Sequence, residues 1–179
     1  AVIQDLLGHR DNQRDLTMWS NSCDPMASQN AQKLLLTMTT KTTKDYNLAI
    51  KALMKDTKDF LAAEKAELLL REMQTTEDCQ PDEVSYSTVI TAWSRSKHRN
   101  AARKAESLLR EMHTNPLVTP TTIIYSSLIT AWSRSKDKHA GTKAQALLDE
   151  MLTEVAQGNT LVRPNKLTYS AVITLNQTG

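Results

Sequence analysis

Glycine is scarce. Four residues in 179 are glycine and none are clustered, so a phosphate-cradling loop or a dinucleotide fingerprint lacks the residues it needs. Cysteine is scarcer still: Cys23 and Cys79 stand 56 positions apart. That excludes a disulfide-dense scaffold and a zinc site built on paired cysteines. No apolar run approaches the roughly 18 residues of a membrane-spanning helix, so no membrane partner is expected. Aromatics make up 4% of the chain, and the formal net charge is +2, so bulk charge does not announce a nucleic-acid binder. His9, His98, His113 and His139 have no metal-ligand spacing, and the acidic residues converge on no repeated position. The expectation is a non-catalytic chain with no metal and no cofactor.

What the chain has instead is internal repetition, the first thing to seek in a sequence. YSTVITAWSRSK from Tyr86 and YSSLITAWSRSK from Tyr125 are nearly identical. YNLAIKALMK begins at Tyr46, YSAVIT at Tyr169, and a degenerate copy, NQRDLTMWSNS, at Asn12. The tyrosines are 40, 39 and 44 residues apart. A second element follows each first one: AQKLLLTM from Ala31, AELLLREM from Ala66, AESLLREM from Ala105 and AQALLDEM from Ala144.

Both elements have a helical period. Tyr86, Val89, Ile90 and Trp93 fall at i, i+3, i+4 and i+7, as do Ala105, Leu108, Leu109 and Met112. That spacing lays one apolar stripe along an α-helix. The connectors repeat too: Pro81-Asp82, Pro120-Thr121 and Pro164-Asn165 each lie shortly before a tyrosine. Proline ends one helix, and the Asp, Thr or Asn after it is suited to cap the next. Each unit therefore reads as helix A, a turn, helix B and a proline linker. A lone hairpin cannot bury its stripe, so stacked neighbours must share it. The units run approximately 12–45, 46–85, 86–124 and 125–168, with a partial unit at 169–179 and an unassigned lead-in at 1–11. The tyrosines and tryptophans are expected in the core.

Tyrosine, a small polar residue, an apolar i+3/i+4 pair, Ala-x-x-Leu-Leu-x-x-Met and then Pro-Asp or Pro-Asn resemble the pentatricopeptide repeat, well over 46–174 and weakly over 12–45. The family's unit is 35 residues; here it is about 39, with extra residues in the A–B turn such as Lys97 to Asn100. The fold class expected is all-α, an α-solenoid of stacked antiparallel hairpins forming a right-handed superhelix.

The resemblance implies that the chain binds single-stranded RNA, with about one base per repeat read by two or three side chains. It assigns base reading to the residue after the tyrosine together with the residue after the linker proline. Those pairs are Asn47 with Asp82, Ser87 with Thr121, and Ser126 with Asn165. By similarity to the family's code, the first favours uracil and the third adenine; Ser87/Thr121 is atypical and receives no base. Short amide, hydroxyl and carboxylate groups suit the task, offering donors and acceptors without filling the space a base needs. The same residues also sit where helix caps belong. Val84, Ile123 and Leu167, two before each tyrosine, are expected to sandwich bases; Lys44 occupies that place in the second unit. Lys55, Arg95 and Arg134, nine after their tyrosines, and Lys97 and Lys136, at eleven, form a basic ladder suited to phosphates. Cations at a helix C-terminus also answer its dipole.

The resemblance further implies organellar RNA processing, stability or translation, in mitochondria or plastids, with protein partners of an RNA-processing complex. The first 45 residues hold five acids and five bases, unlike a transit peptide, so location is not legible in them. Two alternatives stand beside this reading: a protein-interaction scaffold on the same face, and the RNA-recognition part of a longer enzyme.

Overall fold

The computed structural model describes residues 2–55, 59 and 61–177, with side chains from residue 8 onward. Among the described residues there are nine α-helices and no strand. They are α1 (Val2–Asn21), α2 (Ala27–Thr37), α3 (Thr43–Lys55), α4 (Ala62–Thr75), α5 (Glu83–Arg95), α6 (Ala101–Thr114), α7 (Thr122–Arg134), α8 (Ala140–Ala156) and α9 (Lys166–Gln177). The odd-numbered helices carry the first repeated element and the even-numbered ones the second. The lead-in is continuous with the degenerate first copy, since α1 covers both.

The chain divides into two compact units, 1–89 and 90–179. In the first, α2 packs on α1 and α3, and α3 packs on α1 and α4. In the second, α7 packs on α6, α8 and α9, and α8 on α9. Both are all-α stacks of hairpins, the architecture of a repeat solenoid.

The stripes are the core. Tyr46, Ala49, Ile50 and Leu53 of α3 and Ala66, Leu70 and Met73 of α4 are wholly buried in the first unit. Leu108, Leu109 and Met112 of α6, Tyr125, Leu128 and Ile129 of α7, and Ala144 and Met151 of α8 do the same in the second. Burying each large side chain is worth about 1.5–3 kcal/mol relative to exposure. One tyrosine departs from expectation: Tyr169 is 42% exposed. It lies on α9, the last described helix, and no described helix B follows to cover it.

Buried tyrosines need partners for their hydroxyls. Tyr46 Oη donates to Glu72 Oε1 at 2.8 Å, and Tyr125 Oη to Glu150 Oε1 at 2.8 Å. Lys41 donates to the same Glu72 oxygen at 2.8 Å, and Arg110 grips both Glu150 oxygens at 2.8 and 2.7 Å. Helix A is thereby tied to the helix B that follows it.

The two kinds of helix start differently. An A helix starts with a reciprocal cap. Thr42 N donates to Asp45 Oδ2 at 2.9 Å while Asp45 N donates to Thr42 Oγ1 at 3.4 Å. Ser85 N donates to Asp82 Oδ1 at 2.8 Å while Asp82 N donates to Ser85 Oγ at 3.2 Å. Asn165 and Thr168 repeat the pattern at 3.0 and 3.3 Å. The exception is Thr121 before α7, which makes no side-chain cap: Ile124 N donates to Thr121 O at 3.1 Å, and the buried Ile124 side chain has no polar group to return a bond. A B helix starts instead with a turn three residues earlier. Asp24, Asp59 and Asp137 each accept the N–H two residues on, at 2.7, 2.9 and 3.0 Å. At α6 that place is held by His98, whose Nδ1 accepts Asn100 N at 3.1 Å.

Candidate nucleic-acid interface

The linkers are docked, and this places the expected readers. Two residues before each linker proline stands a buried apolar group: Cys79, Val118 and Val162. Cys79 is thus a packing residue, and burial pushes its thiol pKa up. Its Sγ donates to Lys41 O at 3.0 Å, and Thr43 Oγ1 donates to Gln80 O at 3.0 Å. The linker carrying Asp82 is therefore held against the start of α3. Thr122 does the same for the linker carrying Asn165: its Oγ1 donates to Leu161 O at 3.0 Å and accepts Arg163 N at 2.7 Å.

In the first unit this brings Asn47 and Asp82 into direct contact. Asn47 Nδ2 donates to Asp82 Oδ1 at 3.0 Å and Oδ2 at 3.3 Å. Asn47 Oδ1 accepts from Ser85 Oγ at 2.7 Å, and Ser85 is itself wholly buried. Asp82 Oδ1 also carries the cap, whereas Oδ2 holds only the longer Asn47 contact. One carboxylate oxygen thus starts a helix and the other retains acceptor capacity, and Asp82 lines an open groove of about 450 Å³. Lys44, Asn47, Lys51, Asp82 and Val84 line it. Val84 is 55% exposed, an apolar wall left uncovered at the sandwiching position. Lys44, where another apolar wall was expected, is exposed and donates to Gln13 Oε1 at 3.3 Å.

In the second unit Ser126 reaches Asn165 through one intermediary. Ser126 Oγ and Thr168 Oγ1 are 3.3 Å apart, and Thr168 Oγ1 donates to Asn165 Oδ1 at 3.0 Å. Asn165 is exposed. Ile123 and Leu167 are 66% and 65% exposed, matching Val84 at the same register. Of the remaining expected pair, each residue falls in a different unit. Ser87, in the first, donates to Val84 O at 3.2 Å within α5; Thr121, in the second, is half-buried at the start of α7.

The basic residues divide likewise. Lys55 ends α3 in the first unit and is exposed. Arg95, Lys97, Arg134 and Lys136 share one pocket in the second, at the turns after α5 and α7. Arg134 also does what a helix-end cation does: its guanidinium donates to Ser94 O, at the end of α5, at 3.4 Å.

Sequence reasoning missed the residues that hold the readers in place. Ser85 and Thr168 each bridge a reader pair, and Thr43 and Thr122 dock the linkers. Ser85 and Thr168 were detectable as Ser/Thr three residues after a capping Asp or Asn. Also missed was Asp45, wholly buried on α3, which accepts Gln13 Nε2 at 3.0 Å besides its cap.

Among the described residues no group of three His, Cys, Asp or Glu is placed to hold a metal, and no helix is long and apolar enough to cross a membrane. Residues 68–135 match the family model described as Pentatricopeptide repeat domain. No curated protein matches the chain. That family is a helical-repeat fold, in general non-catalytic, whose members commonly bind RNA and are associated with organelles.

Proposed function

We propose that this chain, which matches the pentatricopeptide repeat domain over residues 68–135, binds single-stranded RNA without catalysis and reads bases with Asn47/Asp82 and Ser126/Asn165. The observation that supports this most is the groove beside Asn47 and Asp82. Its reading pair is fixed by Ser85, its Asp82 Oδ2 retains acceptor capacity, and its Val84 wall is apolar and open. A base has a flat apolar face and a polar edge, and this groove offers a surface to each. Uracil presents an N–H flanked by carbonyls on its pairing edge, which a carboxylate oxygen and an amide N–H complement. At Ser126/Asn165 the Asn165 amide offers both a donor and an acceptor, which suits adenine. Val84, Ile123 and Leu167 would flank the bases. Lys55, Arg95, Lys97, Arg134 and Lys136 would meet phosphates. The setting proposed is RNA processing, stability or translation in mitochondria or plastids, alongside protein partners.

The test is a fluorescence-anisotropy titration with short RNAs carrying uracil or adenine at varied spacing, with DNA of the same sequence and two salt concentrations alongside. The expected result is saturable, RNA-preferring binding that weakens with salt and loses its uracil preference in Asn47→Ala/Asp82→Ala. Binding indifferent to sequence would refute base reading. No binding by a folded chain would refute RNA recognition and favour a protein-interaction scaffold.

A further inference from the structure

Positive charge in the second unit is concentrated in one place. The turns after α5 and α7, where the units exceed the family's repeat length, enclose an open pocket of about 740 Å³. Arg95, Lys97, Arg99, Arg103, Arg134 and Lys136 line it. Asp137 is its one acidic residue, and Asp137 is engaged by Arg103 at 2.6 Å and by His139 N at 3.0 Å. Among the described residues, the side chains of Arg95, Lys97, Arg99 and Lys136 have no ion-pair partner.

The start of α6 forms part of the same wall, through Ala101 and Ala102. Here the chain departs from its own pattern. The turns before α2, α4 and α8 supply an aspartate, whereas the turn before α6 supplies His98. As at α2 and α8, the first turn of α6 holds no acid and its N-cap, Asn100, makes no side-chain cap hydrogen bond. A helix N-terminus carries partial positive charge and disfavours cations beside it. Arg99 and Arg103 flank it nonetheless. Ser96 and Ser135 add hydroxyl groups, and alanines keep the floor low. Cations, hydroxyls and an uncompensated helix N-terminus are what a phosphate group requires. A single phosphodiester carries one charge and would leave most of these cations unanswered. A terminal phosphate or a pyrophosphate carries about two or more.

We propose that this pocket binds a compact, multiply charged phosphate group. Two sources share that chemistry: the terminal phosphate of an RNA and the phosphate chain of a free nucleotide. The proposal deepens the phosphate-contacting part of the function above and rests on that reading only for the first source.

The test titrates the whole chain with inorganic pyrophosphate by calorimetry, and separately with one RNA bearing either a 5′-phosphate or a 5′-hydroxyl. Lys97→Ala/Arg99→Ala is the variant, since both side chains are exposed and without structural partners, and Lys33→Ala in the first unit is the control. Circular dichroism checks that each folds. Saturable one-site pyrophosphate binding is expected, about tenfold weaker or more in the double variant and unchanged in the control. An RNA whose 5′-phosphate tightens binding several-fold, with the gain lost in the double variant, identifies the RNA end as the source. Pyrophosphate binding with no gain from RNA phosphorylation identifies the nucleotide. Absence of saturable pyrophosphate binding, or binding indifferent to the double variant, overturns the proposal. Pocket-dependent pyrophosphate binding by a chain that ignores RNA would instead sink the proposed function and leave the pocket standing.

Discussion

Asp82 caps α5 in the structure and is proposed to read a base, and one substitution separates the two roles. Its Oδ1 accepts Ser85 N at 2.8 Å, Ser85 Oγ at 2.9 Å and Asn47 Nδ2 at 3.0 Å, while Oδ2 holds only Asn47 Nδ2 at 3.3 Å. Asp82→Asn keeps an oxygen at the first position and places an NH₂ at the second. Asn165 already performs that capping role, accepting Thr168 N and Thr168 Oγ1 at 3.0 Å each. The new NH₂ faces the Asn47 donor, a small repulsion at the longer distance. The expected stability change is therefore within about 0.5 kcal/mol. Asp82→Ala loses the cap, about 1 kcal/mol, and strands the Asn47 amide N–H, for a total of about 2 kcal/mol, while the Ser85 hydroxyl keeps Asn47 Oδ1 as its acceptor. Base preference should respond in the opposite proportion. Exchanging a charged acceptor for a donor at Oδ2 removes a hydrogen bond worth about 1.5–3 kcal/mol, roughly tenfold or more in uracil-over-adenine discrimination at that position. Urea unfolding of both variants, paired with anisotropy titrations on RNAs differing at one base, measures the two effects. If Asp82→Asn is as stable as the parent and discriminates as before, Asp82 is a cap and nothing more. If it unfolds as easily as Asp82→Ala, the division of labour between its two oxygens is wrong.

Three further expectations follow from single sites. Asp45→Ala removes the acceptor for Thr42 N, Thr42 Oγ1 and Gln13 Nε2 in a wholly buried place; it should cost about 2–4 kcal/mol in chemical denaturation, and a cost below about 1 kcal/mol would contradict that geometry. Burial alone would lift the Glu150 carboxyl, but the Arg110 guanidinium and the Tyr125 hydroxyl outweigh it and hold it below the ordinary glutamate value. A depressed pKa stabilises the fold above the unfolded value of about 4.3 and ceases to do so as pH falls through the folded value. Glu150→Gln should thus be less stable than the parent at pH 7, with the gap closing below about pH 4, and a gap that stays constant in unfolding midpoints across that range would refute the linkage. Gly158 has φ +94° with open space where a Cβ would stand, so Gly158→Ala should cost about 1 kcal/mol from backbone strain alone; a neutral thermal midpoint would show that the turn relaxes.

The repeat was legible because burial leaves a period. Tyr125, Leu128 and Ile129 lie on one stripe and are all buried, as spacing alone implied. Tyr169 belongs to the same pattern yet is exposed, since a stripe records which face is apolar and not whether a neighbour covers it. The Tyr–Glu bonds escaped notice because Glu72 and Glu150 lie on a helix rich in charge, where one more carboxylate carries no signal. The expected cap at Thr121 is absent because the Ile124 N–H turns to the Thr121 carbonyl, and Ile124, committed to the core, has no polar group to return a bond. The proposed readers could be picked out as positions, not as a network: nothing in Asn47 or Asp82 announces that Ser85, between them in space, bonds to both.

If Asp82 and Asn165 read bases as proposed, their capping role also limits how such a chain can change its taste. A position that must begin a helix tolerates few residue types, chiefly Asp, Asn, Ser and Thr. Any new specificity acquired there is spelled in that four-letter alphabet, or else compensated by a second change at Ser85 or Thr168. The grammar of helix initiation thus bounds the vocabulary of recognition, and a library built to retarget these pockets should vary each reader together with its partner three residues on.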